Sequence, residues 1–278
     1  MFEVIFLFVM GIIWVGFASV SDLKSREVPN WISFSLIVFA LGFRFFFSLF
    51  SYDFGFFWQG LLGLGIFFIL GNLFYYGRLF AGGDVKLMIA LGPVLAFSSL
   101  FYENLKIFTT FFLLFLFVGA IYGIFSAAFL SIKNFKEFKK GFYKKAKDGR
   151  KILVFGMILG LLIFFAGFLD SLLFLFGILV FVLPYLYIYA KAVDEKCMIK
   201  DVNVKDLTEG DWLYQDIKIG KRVIKARWDG LNSEEISFIR KKMKNVKIKQ
   251  GIPFVPVFFV AFLILVYLWK GSLWNAFW

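Results

Sequence analysis

The feature that most constrains this chain is a series of apolar runs, each about twenty residues long. That is the length a helix needs to cross roughly 30 Å of hydrocarbon. The runs read at 3–21, 31–50, 57–76, 85–102, 107–130, 152–168, 171–190 and 252–269. They account for a composition that is 61% hydrophobic, with 43 Phe, where a soluble domain has about 45–50% apolar residues. The stretch 152–190 is too long for one crossing, and Asp170 interrupts it, so a tight turn there makes two spans. The first run has only Glu3 as an early charge, no basic segment before it and a long apolar stretch, and reads as a retained span rather than a cleaved signal peptide.

Charge sets the orientation. Net charge is +12, and the basic residues gather beside the spans, most densely from Lys133 to Lys151. The positive-inside rule places that segment in the cytoplasm. The 22–30 and 77–84 loops and the 191–251 segment then lie on the same side. Eight spans with both ends outside satisfy every basic loop at once. The expected fold is therefore an all-α polytopic membrane protein of about eight transmembrane helices, with a small cytoplasmic α+β domain. The expected divisions are a transmembrane helical domain at 1–190, the cytoplasmic domain at 191–251, and a final span with an outer terminus at 252–278. Within 191–251, residues 223–227 and 246–249 alternate like strands, and Asn232 with Glu235 forms a capping-box pattern opening a helix to about Met243. Pro253 suits the first turn of the last span. The lysines fit a bilayer with anionic lipids, and without a basic groove carrying stacking aromatics outside the spans, nucleic acid is not an expected partner.

Missing residue types narrow the chemistry. There is no histidine and one cysteine, Cys197. Imidazole bases, Ser-His and Cys-His pairs, thiolate clusters and internal disulfides are all excluded. A hydrolase built from this chain works through carboxylates or a Ser-Lys pair, and no compelling buried Ser-Lys pair is evident. Asp53, Glu103 and Asp170 fall in outer turns, and Glu137 and Asp148 lie among lysines. Asp22, closing the first span, and Asp84, opening the fourth, sit at one depth on the cytoplasmic rim. Two carboxylates brought together there share one proton, which supplies a base for water and an acid for a carbonyl. By helix dipole alone, Asp84 at a helix N-terminus is the base and Asp22 at a C-terminus the acid. Each aspartate equally suits a helix cap, and Gly82 and Gly83 are either a turn or a place where a substrate backbone comes close. Lys86 either tunes the pair or snorkels to the interface. Arg44 inside the second span has no account at this level.

Residues Ser21 to Trp31 resemble the first aspartate motif of prepilin peptidases, and Gly82 to Leu87 resembles their second, the GxGD motif. The two are separated by one loop and two spans, as in that family. Residues 206–212 and 251–257 resemble the C-terminal part of the archaeal branch, the prepilin and preflagellin (archaellin) peptidases. The resemblance implies a membrane aspartyl endopeptidase that removes class III signal peptides from pilin-like or archaellin precursors at the cytoplasmic face. Asp22 and Asp84 match its catalytic pair, Gly82 and Gly83 its supporting backbone, and no metal or other cofactor is implied. Ala81 departs from the motif, which opens with glycine. The four-cysteine module of the bacterial branch is absent, so methylation is not implied. Presenilin-type proteases share GxGD, but the Pro-Ala-Leu segment they carry is missing here. A transporter or an export scaffold is the alternative from outside the enzymes. Several precursor types fit the chemistry, and nothing in the sequence assigns an oligomeric state.

Overall fold

The computed structural model describes residues 2–220, 222–271 and Trp274. It is mostly helical, with one small sheet region, and divides into two compact units. The first comprises residues up to Gly123 together with Pro253 onward; the second is Ile124–Ile252.

The first unit opens with α1 (Phe2–Ser25), α2 (Asn30–Ser51) and α3 (Gly55–Tyr76), all long and apolar enough to cross a membrane. The short α4 (Gly82–Leu95) follows, then the first part of α5 (Phe101–Lys133). Helix α10 (Val255–Lys270) returns to pack against α1. Leu7, Leu36, Leu87, Leu91, Phe111, Phe258 and Phe262 form the centre of a continuous apolar core. Close approach depends on glycine. A Cβ on Gly63 of α3 would strike the carbonyl oxygen of Gly92 in α4, and a Cβ on Gly92 would strike that of Gly63. Small residues let helix backbones touch in this way in membrane proteins.

The expected fourth span, 85–102, is not one helix. α4 stops at Leu95, fourteen residues long, and an irregular stretch joins it to α5. Pro93 lies inside its last turn, and its terminal carbonyls have no intrahelical donors. Side chains supply donors instead. Arg44 Nε donates to Pro93 O at 2.7 Å, Nη1 to Phe56 O at 2.7 Å, and Nη2 to Ala96 O. Asn104 Nδ2 donates to Ser98 O at 2.7 Å, while its Oδ1 accepts from Ser98 N at 2.9 Å. Gln59 Oε1 accepts from Asn104 Nδ2. Irregular backbone in an apolar setting survives only when protein satisfies it. Hydropathy registers none of this, because the stretch 96–102 is as apolar as the helix before it.

The second unit contains the rest of α5, then α6 (Phe135–Asp148), α7 (Arg150–Ala166) and α8 (Ser171–Lys196). The lysine-rich segment expected as a loop is helical, and α6 meets α7 at a 75° bend around Gly149. Asp170 divides 152–190 as its charge predicts: its side chain accepts from Leu172 N at 3.0 Å and caps α8. α7 and α8 then pack tightly, with Gly160 against the backbone of Phe181. Among the described residues, α1, α2, α3, α5 and α8 make five helices long and apolar enough to span a membrane, or six if the bent α6–α7 pair is one crossing.

After α8 come β1 (Ile199–Asn203), β2 (Trp212–Leu213), β3 (Ile217–Ile219), β4 (Arg222–Ile224), α9 (Ser233–Lys242) and β5 (Asn245–Lys249). β5 is central in the antiparallel order β1-β5-β2, and β3 and β4 form a separate hairpin. Val204, Leu213, Ile224, Ile236, Ile239, Val246 and Ile248 make its own small core. The strand expected at 246–249 appears as 245–249, that expected at 223–227 is shorter and ends at Ile224, and the capping box at Asn232 and Glu235 is complete, with Glu235 N donating to Asn232 Oδ1 at 2.8 Å. Asn232→Ala is expected to cost about 1 kcal/mol, seen as loss of hydrogen-exchange protection confined to 233–242. At the last helix, Pro256 rather than Pro253 occupies the first turn, since α10 begins at Val255. The expected outer terminus at 272–278 lies outside the described residues, apart from Trp274, which packs on the core of the first unit.

Candidate active site

Asp22 is near the C-terminal end of α1 and is 6% exposed. Its position follows from the turn behind it. Ser21 Oγ donates to Glu27 O at 2.8 Å, and Ser25 Oγ to Ser21 O at 2.9 Å. These hydroxyls tie the chain back on itself as it leaves the helix, and Arg26 closes the turn in the left-handed region at φ 58°. The Asp22 carboxylate is thereby directed at α10, where Oδ2 accepts from Val255 N at 2.9 Å. The residue at the cap position of α10, Phe254, has no side-chain oxygen for this purpose. Asp22 therefore supplies the acceptor that a Ser or Asp usually gives to its own helix. One turn back, Ser19 Oγ donates to Val15 O at 2.7 Å and reaches Val255 O at 3.4 Å.

Asp84 is in the first turn of α4 and is half-buried. The cap position belongs to Ala81, not to Asp84, so a simple N-cap role does not describe it. Ala81 has φ −75° and ψ 161°. Any L-residue adopts that conformation, so alanine in place of the motif's first glycine strains nothing. The charge of Asp22 acts on the Asp84 carboxyl, which also contacts the backbone of Ala81. The two aspartates thus form an interacting pair, each at the end of its own helix.

Further contacts join the two halves. A Cβ on Gly83 would lie 3.5 Å from Val28, and Lys86 Nζ donates to Asn30 Oδ1 at 2.7 Å. Lys86 is exposed, and this link to the start of α2 gives it a role distinct from snorkelling. Glu27 contributes its carbonyl to the serine turn, with its side chain exposed. Cys197 is buried, and burial pushes its thiol up, which makes it an inert sulfur. No group of three metal-ligating side chains occurs among the described residues.

Residues 9–125 match the type IV leader peptidase family. That stretch contains both aspartates, the serine turn and the whole of α4. Over 88 residues the chain is 34% identical to a preflagellin peptidase of Methanocaldococcus jannaschii, covering 32% of this chain and 37% of that protein. Over 87 residues it is 32% identical to a preflagellin peptidase of Methanococcus maripaludis, covering 31% and 37%. The chain therefore spans little more than a third of the length of these curated relatives. No solved structure gives a significant match.

What the sequence missed at this site is the start of α10. Residues 251–257 carried a resemblance but no role, because their contribution is a backbone amide that no side chain announces. Gly82 and Gly83 yield a test of their own. A Cβ on Gly82 meets nothing within 4 Å, and one on Gly83 makes ordinary contact. Gly82→Ala and Gly83→Ala are expected to change stability by less than about 1 kcal/mol. Any loss of activity in them then reports crowding of an approaching substrate, separable by measuring cleavage and thermal unfolding on the same samples.

Proposed function

We propose that this chain is a membrane aspartyl endopeptidase that removes class III signal peptides from archaellin or pilin-like precursors. The observation that carries the proposal is the pairing of Asp22 and Asp84, offered from two helix ends within the segment that matches the leader peptidase family. The names of the two relatives support the substrate class. In this reading the helices make eight spans, with α4 and α10 as short ones packed inside the bundle. The basic loops, the 191–251 domain and both aspartates face the cytoplasm, and the exposed lysines of α6 contact anionic lipid headgroups.

The pair divides the chemistry. The Val255 amide donates to the Asp22 carboxylate, and a hydrogen bond to the charged form favours that form. Asp84 also bonds a backbone amide, that of the exposed Ala81; weighting the buried Val255 bond above it and above the C-terminal dipole of α1, we assign Asp22 as the base and Asp84 as the proton carrier, reversing the assignment from helix ends alone. Asp22 takes a proton from water as its oxygen bonds to the scissile carbonyl carbon, and Asp84 protonates the carbonyl oxygen. Collapse of the tetrahedral intermediate breaks the C–N bond, the leaving amine takes the proton held on Asp22, and one hydroxyl returns its proton to Asp84 as the carbonyl re-forms. Neither a metal nor a nucleophilic side chain enters these steps.

The test is expression of the chain in membranes with a panel of class III signal precursors, read by gel shift and N-terminal sequencing. Cleavage just before the hydrophobic segment is expected. A well-folded protein that cuts none of the precursors would turn the reading toward transport or scaffolding.

A further inference from the structure

Among the described residues Arg44 is the largest fully buried side chain, at 0% exposure. Among the described residues it has no carboxylate partner; its donors go to the carbonyls of Phe56, Pro93 and Ala96, and its guanidinium lies 4.1 Å from the Phe56 ring centroid. A buried cation is costly and persists where its hydrogen bonds are satisfied. The space for it is also provided: a Cβ on Gly60 would strike Arg44 Cδ, so the glycine clears the path of the side chain.

We infer that Arg44 is a positioning residue for Asp84, acting along the length of α4. Arg44 grips the last turn of α4 and the residue following it, while Asp84 occupies the first turn. A fourteen-residue helix is a stiff rod of about 21 Å. Its Gly63·Gly92 contact with α3 lies at the same end as the Arg44 clamp, and is smooth backbone against backbone. The guanidinium fork adds directional bonds to both α4 and α3, which set the axial height and rotation of the rod. The Asp84 end is held mainly by non-directional apolar packing, Val85 and Ile89 against Gly71 and Gly83 against Val28, with Lys86 on Asn30. Without the fork, α4 slides or turns by a fraction of a helical step, and the Asp84 carboxyl leaves its register with Asp22. This inference rests on the peptidase reading for its kinetic consequence, but its structural half stands apart from that reading.

The experiment therefore has two readouts. The first is disulfide formation between Val28→Cys and Gly83→Cys in a Cys197→Ser background. The Gly83 Cβ position lies 3.5 Å from Val28 Cβ, within disulfide range, so the cross-linking rate reports where the start of α4 sits. The second is cleavage of a preflagellin precursor by each variant without the added cysteines, per folded molecule in detergent. In Arg44→Met, cross-linking is expected to slow markedly and kcat to fall about 100-fold while KM holds. Arg44→Lys, which keeps charge but not the fork, is expected to fall between. Gly60→Ala, which leaves Arg44 in the chain but blocks its path, is expected to reproduce the loss, and decides the matter should Arg44→Met fail to fold. A merely structural role would lower the yield and the unfolding temperature with kcat and cross-linking unchanged, and that result would overturn the inference. Slowed cross-linking in Arg44→Met, alongside a wild type that cleaves nothing, would retain the positioning role and sink the peptidase reading alone.

Discussion

Asp22→Ala and Asp84→Ala are each expected to lower precursor cleavage by about 10²–10⁴-fold, but only Asp22→Ala is expected to weaken the fold. The carboxylate of Asp22 is the acceptor for the Val255 amide at the start of α10. Removing it leaves a buried donor without a partner, at a cost of about 1–3 kcal/mol. Asp84 bonds the backbone of Ala81, but that residue is exposed, so loss of the carboxylate leaves no buried donor there. Asp22→Asn separates the two roles: the amide oxygen still accepts from Val255, so stability returns while cleavage stays lost. The measurement is cleavage rate and thermal unfolding for all the variants in one detergent. If Asp22→Asn and Asp22→Ala unfold at the same temperature, the cap role is wrong; if either Asp22 variant or Asp84→Ala still cuts, the dyad is wrong.

The second large effect is expected at Gly63. Its added Cβ meets the backbone carbonyl of Gly92, with the carbonyl carbon at 3.0 Å, and backbone cannot turn aside as a side chain can. Gly63→Ala forces α3 and α4 apart, an overpacking cost of about 3 kcal/mol. It should also reduce cleavage, because α4 carries Asp84. Gly65, two residues on, faces open space. Gly65→Ala is expected to be neutral or stabilising by about 0.5–1 kcal/mol, since alanine has the better helix propensity. Parallel unfolding of the two variants checks the contrast, and equal stability would remove the close packing as its cause.

Both aspartates could be singled out from the sequence because elimination was severe. With histidine absent and cysteine single, a hydrolase is left with carboxylates or a Ser-Lys pair, no compelling buried Ser-Lys pair is evident, and the short motifs around the two aspartates are local in sequence. The capping box of α9 and the break at Asp170 were legible for the same reason: each is a side chain bonding to backbone two or three residues away. The helical character of 135–148 was not, because a dense run of lysines reads as a solvated loop, although its Phe138 and Gly141 pack against α8.

The sequence by itself determined the apolar helices, the turn that carries Asp22, the start of α4 and the absence of imidazole chemistry, since each depends on residue type and near neighbours. Only the tertiary structure decided where α4 ends, which carbonyls Arg44 binds, and which amide holds Asp22. The end of α4 depends on donors from residues 44 and 104, and the Asp22 contact reaches 233 residues along the chain. Those partners are selected by packing, and the groups they bind are backbone carbonyls and an amide that every residue type presents alike.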